Sequence, residues 1–144
     1  MSIDLIFNFC QALALAGWLG LVAAPLNRRL LIGGARGVAV VLAVAYLAQL
    51  LGNTVPVEGG NFNSISGVTA LFSQPANVML GWTHFLAFDL FVGSWIVEDA
   101  SRDEFPHWAI IPILIATLMI GPIGLLIWFI VRSIHRAQLG LLVA

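Results

Sequence analysis

The chain has 144 residues, 60% of them hydrophobic and 9% charged, with a mean hydropathy of +1.01. Such a balance excludes an ordinary soluble domain and indicates an integral membrane protein. Six basic residues, all arginine, stand against seven acids for a net charge of −1; with no long basic tract for nucleic acid or anionic lipid, no nucleic-acid partner is expected and electrostatic binding is not expected to lead.

The first apolar run, residues 3–24, is long enough to cross a hydrocarbon core of roughly 30 Å. Asp4 stands where a signal peptide needs cations, so the run reads as a retained span. Its single cysteine, Cys10, has no intrachain partner and reads as a small buried hydrophobe. Residues 25–37 carry Arg28, Arg29, Arg36 and three glycines, which reads as a short cationic connection. The second run covers residues 38–53.

Residues 53–75 hold no Lys or Arg and contain the Gly59-Gly60 break. Within them, Ser64 to Phe72 predicts a short amphipathic helix capped by Ser64 or Ser66, a candidate lid. Pro75 suits the first position of a helix, where no backbone donor is missed, and the third span follows over 76–97. Glu98 to His107 reads as a charged turn. The fourth run, 108–131, contains Pro112 and Gly121-Pro122-Ile-Gly124, which predicts a kink near Pro122. The expectation is an all-α membrane protein: a compact four-transmembrane-helix bundle, one domain over residues 1–144, with a lid-like segment between the second and third spans. Small-residue rows at Ala12/Ala16/Gly20 and Ala35/Ala39/Ala43 allow close helix contact, and a homo-oligomer is compatible with this composition. Four arginines fall in the first and third connections and two after the fourth span, which favours both termini outside.

In such a bundle the start of span one, the end of span two, the start of span three and the end of span four share a leaflet. That leaflet is rich in polar side chains at helical spacing: Asp4, Asn8 and Gln11; Tyr46, Gln49 and Asn53; Asn77 and His84; Trp128 and His135. Unpaired polar groups in lipid cost several kcal/mol each, about the cost of a lost hydrogen bond in hydrocarbon, so these stripes are expected to face one another around a pocket beneath residues 53–75.

His84 and Asp89 lie well inside the third span, where an ionisable group costs roughly 2.5–3.5 kcal/mol on insertion scales and marks a site worth testing. His84, Phe88, Phe91 and Trp95 follow one face; Trp82, Phe85, Asp89 and Gly93 follow another. At about 100° per residue the two ionisable groups sit roughly 140° apart, so each needs its own partner on a neighbouring helix. A carboxyl and an imidazole in a dry site can serve as proton donor and acceptor. The bland reading is that both are interhelical glue and that the aromatic rows are core packing. No P-loop, dinucleotide fingerprint or metal-ligand spacing occurs, and the three histidines are too scattered for a metal shell; no metal and no cofactor are expected.

Gly81-Trp82-Thr-His84-Phe-Leu-Ala-Phe-Asp89-Leu-Phe, followed by His107, Pro112, Gly121-Pro122-Ile-Gly124-Leu-Leu and Arg132, resembles the small membrane family related to plant neoxanthin synthase, the abscisic-acid-deficient-four type. The resemblance covers roughly residues 67–132. It implies a multi-pass protein of carotenoid metabolism whose plant member opens a xanthophyll epoxide to an allene. The absence of a plant transit region fits a relative in a bacterial inner membrane. On this reading the protein is a cofactor-free isomerase acting on a carotenoid or related isoprenoid, with His84 and Asp89 as proton-transfer groups. Asn8, Gln11, Tyr46, Gln49, Asn77, Trp82, Phe88 and Trp95 would line the substrate site. The alternative is a carotenoid- or lipid-binding scaffold without chemistry, using Phe88, Phe91 and Trp95 as a polyene groove.

Overall fold

The computed structural model describes residues 2–140, so residue 1 and residues 141–144 of the expected 1–144 unit lie outside the described residues. All regular structure among them is helical: α1 (Ile3–Val22), a 3-10 turn (Ala24–Leu26), α2 (Arg28–Gly52), α3 (Ile65–Leu71), α4 (Pro75–Arg102) and α5 (His107–Gln138). Four of these, α1, α2, α4 and α5, are long and apolar enough to cross a membrane.

Local chemistry sets the boundaries. Ser2 caps α1, accepting the Leu5 N–H at 3.3 Å. Ser64 caps α3, accepting the Gly67 N–H at 3.0 Å, and Pro75 opens α4 as its sequence position predicts. Helix α2 begins ten residues before the apolar run does, because the Asn27 carboxamide accepts the Leu30 N–H at 3.1 Å and the glycines that follow do not interrupt it. Residues 28–37 are therefore helix rather than connection, and α4 likewise continues through the acids to Arg102. Hydropathy marks where lipid begins, not where the backbone bonding stops.

Helix α4 is the centre, packing on α1, α2 and α5. Gln11 meets Trp82, and Trp18 lies against Gly93, so α1 runs parallel to α4. Gln49 meets Thr83, and Arg36 meets Ser94, so α2 runs antiparallel. The buried stripe of α1 is Ile6, Cys10, Ala14, Gly17, Trp18 and Leu21. It displaces the expected Ala12/Ala16/Gly20 row, in which Ala12 and Ala16 are exposed. On α2, Ala35 and Ala39 are buried as expected.

The fourth run departs most from its sequence reading. As a straight rod, its 32 residues would extend about 48 Å. Instead Ile120 leaves helical space (φ −144°, ψ 60°), and the chain reverses into two antiparallel halves, 107–119 and 121–138. A Cβ on Gly124 would collide with the backbone of Thr117, although a continuous helix would hold those residues about 10 Å apart along the axis. The second half returns to the end of α4 from which the first departed. There Trp128 donates Nε1–H to Asp99 at 3.0 Å, Arg132 pairs with Asp99 at 2.9 Å, and Arg136 grips Asp103 with two bonds of 2.6 and 2.8 Å. His135 meets the Asp103 carbonyl at 3.1 Å, and Phe105 packs edge-on against both Trp128 and His135. The guanidinium of Arg136 holds the Asp103 carboxyl below the ordinary carboxylate range.

Two expectations fall with this reversal. Trp128 and His135 do not join the leaflet of Asn77; they lie at the opposite end of α4. The two ends of the described chain likewise lie at opposite ends of the bundle. Gly121-Pro122 is a helix start after a break, with Pro in the position that needs no hydrogen-bond donor, rather than a bend within one rod.

Candidate functional site

Residues 53–74 fold over one end of the α2–α4 pair. Three hydrogen bonds from the Asn77 side chain fix them there. Its carbonyl oxygen accepts the Val55 N–H at 3.1 Å, and its amide donates to Val55 O at 3.0 Å and Leu71 O at 2.9 Å. Phe72 then seats on Gly81, where a Cβ would approach its ring within 2.7 Å. The loop before α3 is tied by Asn61, which donates to Gly59 O and accepts from Asn63 N–H, both at 2.9 Å. Replacing Asn77 by Ala should release this lid at a cost of about 1–3 kcal/mol, from three bonds of modest net worth each. Faster amide exchange at Val55, with exchange in the middle of α4 unchanged, is the expected signature; equal protection in the variant would contradict the tether.

Beneath the lid lies a cavity of about 420 Å³, within the range of small-molecule sites. Its wall is largely apolar and aromatic, with Leu50, Phe62, Leu71, Phe72 and Phe85 in it, and its polar groups are Tyr46, Thr54, Asn77 and His84. The His84 ring stacks on Phe88 at 4.5 Å between centroids and stands 6.0 Å from both Tyr46 and Phe85. Among the described residues its imidazole makes no side-chain hydrogen bond, which leaves both ring nitrogens free for a guest.

The other residues singled out from the sequence are distributed elsewhere. Gln49 is buried in the α2–α4 seam, donating to Thr83 Oγ1 at 3.0 Å and to Ala45 O at 3.2 Å. Gln11 accepts the Trp82 indole N–H at 3.1 Å in the α1–α4 seam, with Phe7 stacked on the indole. Asn8 is exposed on α1. Phe88 backs His84 but faces a separate groove between α2 and α4. Trp95 packs against Phe129 beneath the Arg132 guanidinium, 5.8 Å from its ring centre. The lid cavity thus brings His84, Tyr46 and Asn77 together, while Gln11 and Gln49 rotate into helix seams.

Asp89 does not line the cavity. It lies halfway along α4 against the tip of the α5 hairpin, where a Cβ on Gly121 would collide with its carboxylate. The segments around Asp89 and around Gly121-Pro122, remote in sequence, therefore meet in space. As the rotation between them predicts, His84 and Asp89 share no hydrogen bond among the described residues.

Sequence reasoning missed Thr83 and the lid contributions. Thr83 is fully buried, and its hydroxyl serves both Gln49 and the Met79 carbonyl. Its position between Met79, Leu86 and Leu90 on the packed face of α4 was the available signal. Thr54, Phe62 and Phe72 enter the cavity only through the fold of the lid. Among the described residues there is no group of three or more His, Cys, Asp or Glu able to hold a metal ion.

No curated protein and no solved structure matches the chain. A family model described as ABA DEFICIENT 4-like matches residues 5–128, a stretch that includes all but the first two residues of α1, then α2, the lid, α4 and the hairpin tip. The chain is thus a neoxanthin-synthase-related membrane protein and belongs to the ABA DEFICIENT 4-like family.

Proposed function

We propose that the protein is an isomerase that receives one end of a carotenoid or related isoprenoid in the lid cavity and rearranges it by proton transfer, with His84 as the base. The observation that supports this most is the imidazole of His84, which makes no hydrogen bond among the described residues, in the wall of an apolar, aromatic-lined cavity. The volume suits a terminal ring and the first bonds of a polyene, the rest of which passes Phe85 into the bilayer.

For an epoxide-to-allene rearrangement the atoms balance without a redox partner. One proton reaches the epoxide oxygen as its C–O bond breaks, and one leaves carbon as the new double bond forms. His84 accepts the second proton. Tyr46, across the cavity, is better placed than Asp89 to donate the first, so the acid role moves from the hairpin tip to the phenol. The apolar wall excludes water that would open the epoxide to a diol.

The decisive experiment is pigment analysis in a carotenoid-producing host expressing the protein. His84→Ala should lower conversion by about 10²–10⁴-fold, the usual contribution of a positioned general base, while bound pigment is retained. Conversion equal to wild type in a folded His84→Ala protein would refute the reading. Wild-type protein that binds pigment and returns it unaltered would instead support the scaffold role, which the apolar wall also suits.

A further inference from the structure

We propose that the arginine-lined face at the other end of the α2–α4 pair binds the phosphate group of an anionic phospholipid, one acyl chain of which lies in the adjoining groove between the two helices. Arg28, Arg29 and Arg36 from α2 and Arg102 from α4 surround a cavity of about 380 Å³, with Glu98 as its one acid. Glu98 is already engaged by Arg36 and, at 2.7 Å, by Arg102, while Arg28 donates to Ser101 at 2.6 Å. These bonds hold three guanidiniums around the opening, and the fourth, on exposed Arg29, makes no ion pair among the described residues. Four guanidiniums against one carboxylate leave an excess of positive charge, and the planar fork of arginine suits phosphate oxygens.

A groove beside the arginines gives an acyl chain its place. It holds about 320 Å³ and is walled by Ala39, Val40, Ala43, Phe88 and Phe91, with Arg36 at its mouth. Arg36 lines both spaces, so they adjoin at its side chain. Polarity runs in the order a lipid requires: Ala43 lies about 22 Å further along α2 than Arg28, towards the bilayer centre. A free phosphate would use the arginines but leave the groove unused. The absence of a linear basic tract concealed this site, because three of its arginines share a face only once residues 28–37 are helical, and the fourth comes from α4.

This site is separate from the lid cavity and does not depend on the isomerase reading. Native mass spectrometry of the detergent-purified full chain tests it with phosphatidylglycerol, phosphatidylcholine and inorganic phosphate as probes. A one-to-one phosphatidylglycerol adduct is expected, with phosphatidylcholine weaker by about tenfold or more and Arg29→Gln weakening phosphatidylglycerol about fivefold, since each arginine near an anionic headgroup contributes a factor of that order. Ala43→Trp, which fills the groove, should weaken the same adduct. Circular dichroism confirms that both variants are folded; neither position is buried. Equal binding of the two lipids would overturn the proposal. So would phosphate binding as strongly as phosphatidylglycerol with Ala43→Trp silent, which would mark a free-anion site. Loss of bound carotenoid in Ala43→Trp with phosphatidylglycerol unaffected would assign the groove to the polyene and equally refute the lipid.

Discussion

A cysteine at position 139 and a cysteine at position 63 are expected to react with a membrane-impermeant maleimide from opposite sides of the membrane. Leu139 and Asn63 are both exposed, and Cys10 is buried and can be replaced by serine to give a silent background. A fourth run that crossed the bilayer would put both positions on one side. The hairpin reverses that outcome completely, because Arg136 is bound to Asp103 at the far end of α4 from the lid. Labelling of both positions from one side would eliminate the hairpin.

The second large effect is expected at Gly124. Its Cα faces Thr117 across the hairpin, and a Cβ there would overlap the Thr117 backbone N and Cα as well as its hydroxyl, so rotating the side chain away would not relieve the clash. Overpacking of this kind forces the two halves apart, and Gly124→Leu should destabilise the protein by about 3 kcal/mol, at the upper end of such substitutions. Gly34→Leu is the control. Nothing lies within 4 Å of a Cβ added at Gly34, and exchanging glycine for leucine in an open helix position is mildly favourable, by about 0.5–1 kcal/mol. Thermal unfolding in detergent should separate the two variants clearly; matching midpoints would mean that the halves do not approach as described.

Much of this architecture is legible in the sequence because it is written locally. Ser64 caps a short helix, Pro75 opens a long one, and apolar runs of spanning length identify the main helices. The shared leaflet of Tyr46, Asn77 and His84 follows from alternation of direction along the chain, and these three do meet around one cavity. What is illegible depends on distances between elements. Gly121-Pro122 announces a break, but the angle of the break is fixed by Asp99 and Asp103 finding Arg132 and Arg136, some thirty residues later. Polar stripes identify the face of a helix and its depth, not which neighbour that face meets. Gln11 and Gln49 consequently satisfied each test for cavity residues and yet are bound to Trp82 and Thr83 in the seams. Asp89 shows the same limit, since nothing near it in sequence signals the glycine that closes over it.

Because α5 folds back, Arg132 and Arg136 join Arg28, Arg29, Arg36 and Arg102, so that every arginine of the protein lies towards one end of α4. Among the described residues, the lid end has only Asp4 and Glu58 as charged residues. Membrane insertion retains arginine-rich flanks in the cytoplasm, so the expected orientation becomes one-sided rather than a balance of four against two. In that expected orientation the lid cavity would face the outer leaflet, and the guest proposed for it would be drawn from that leaflet. A guest made on the inner surface would then need delivery across the membrane before it could reach this cavity.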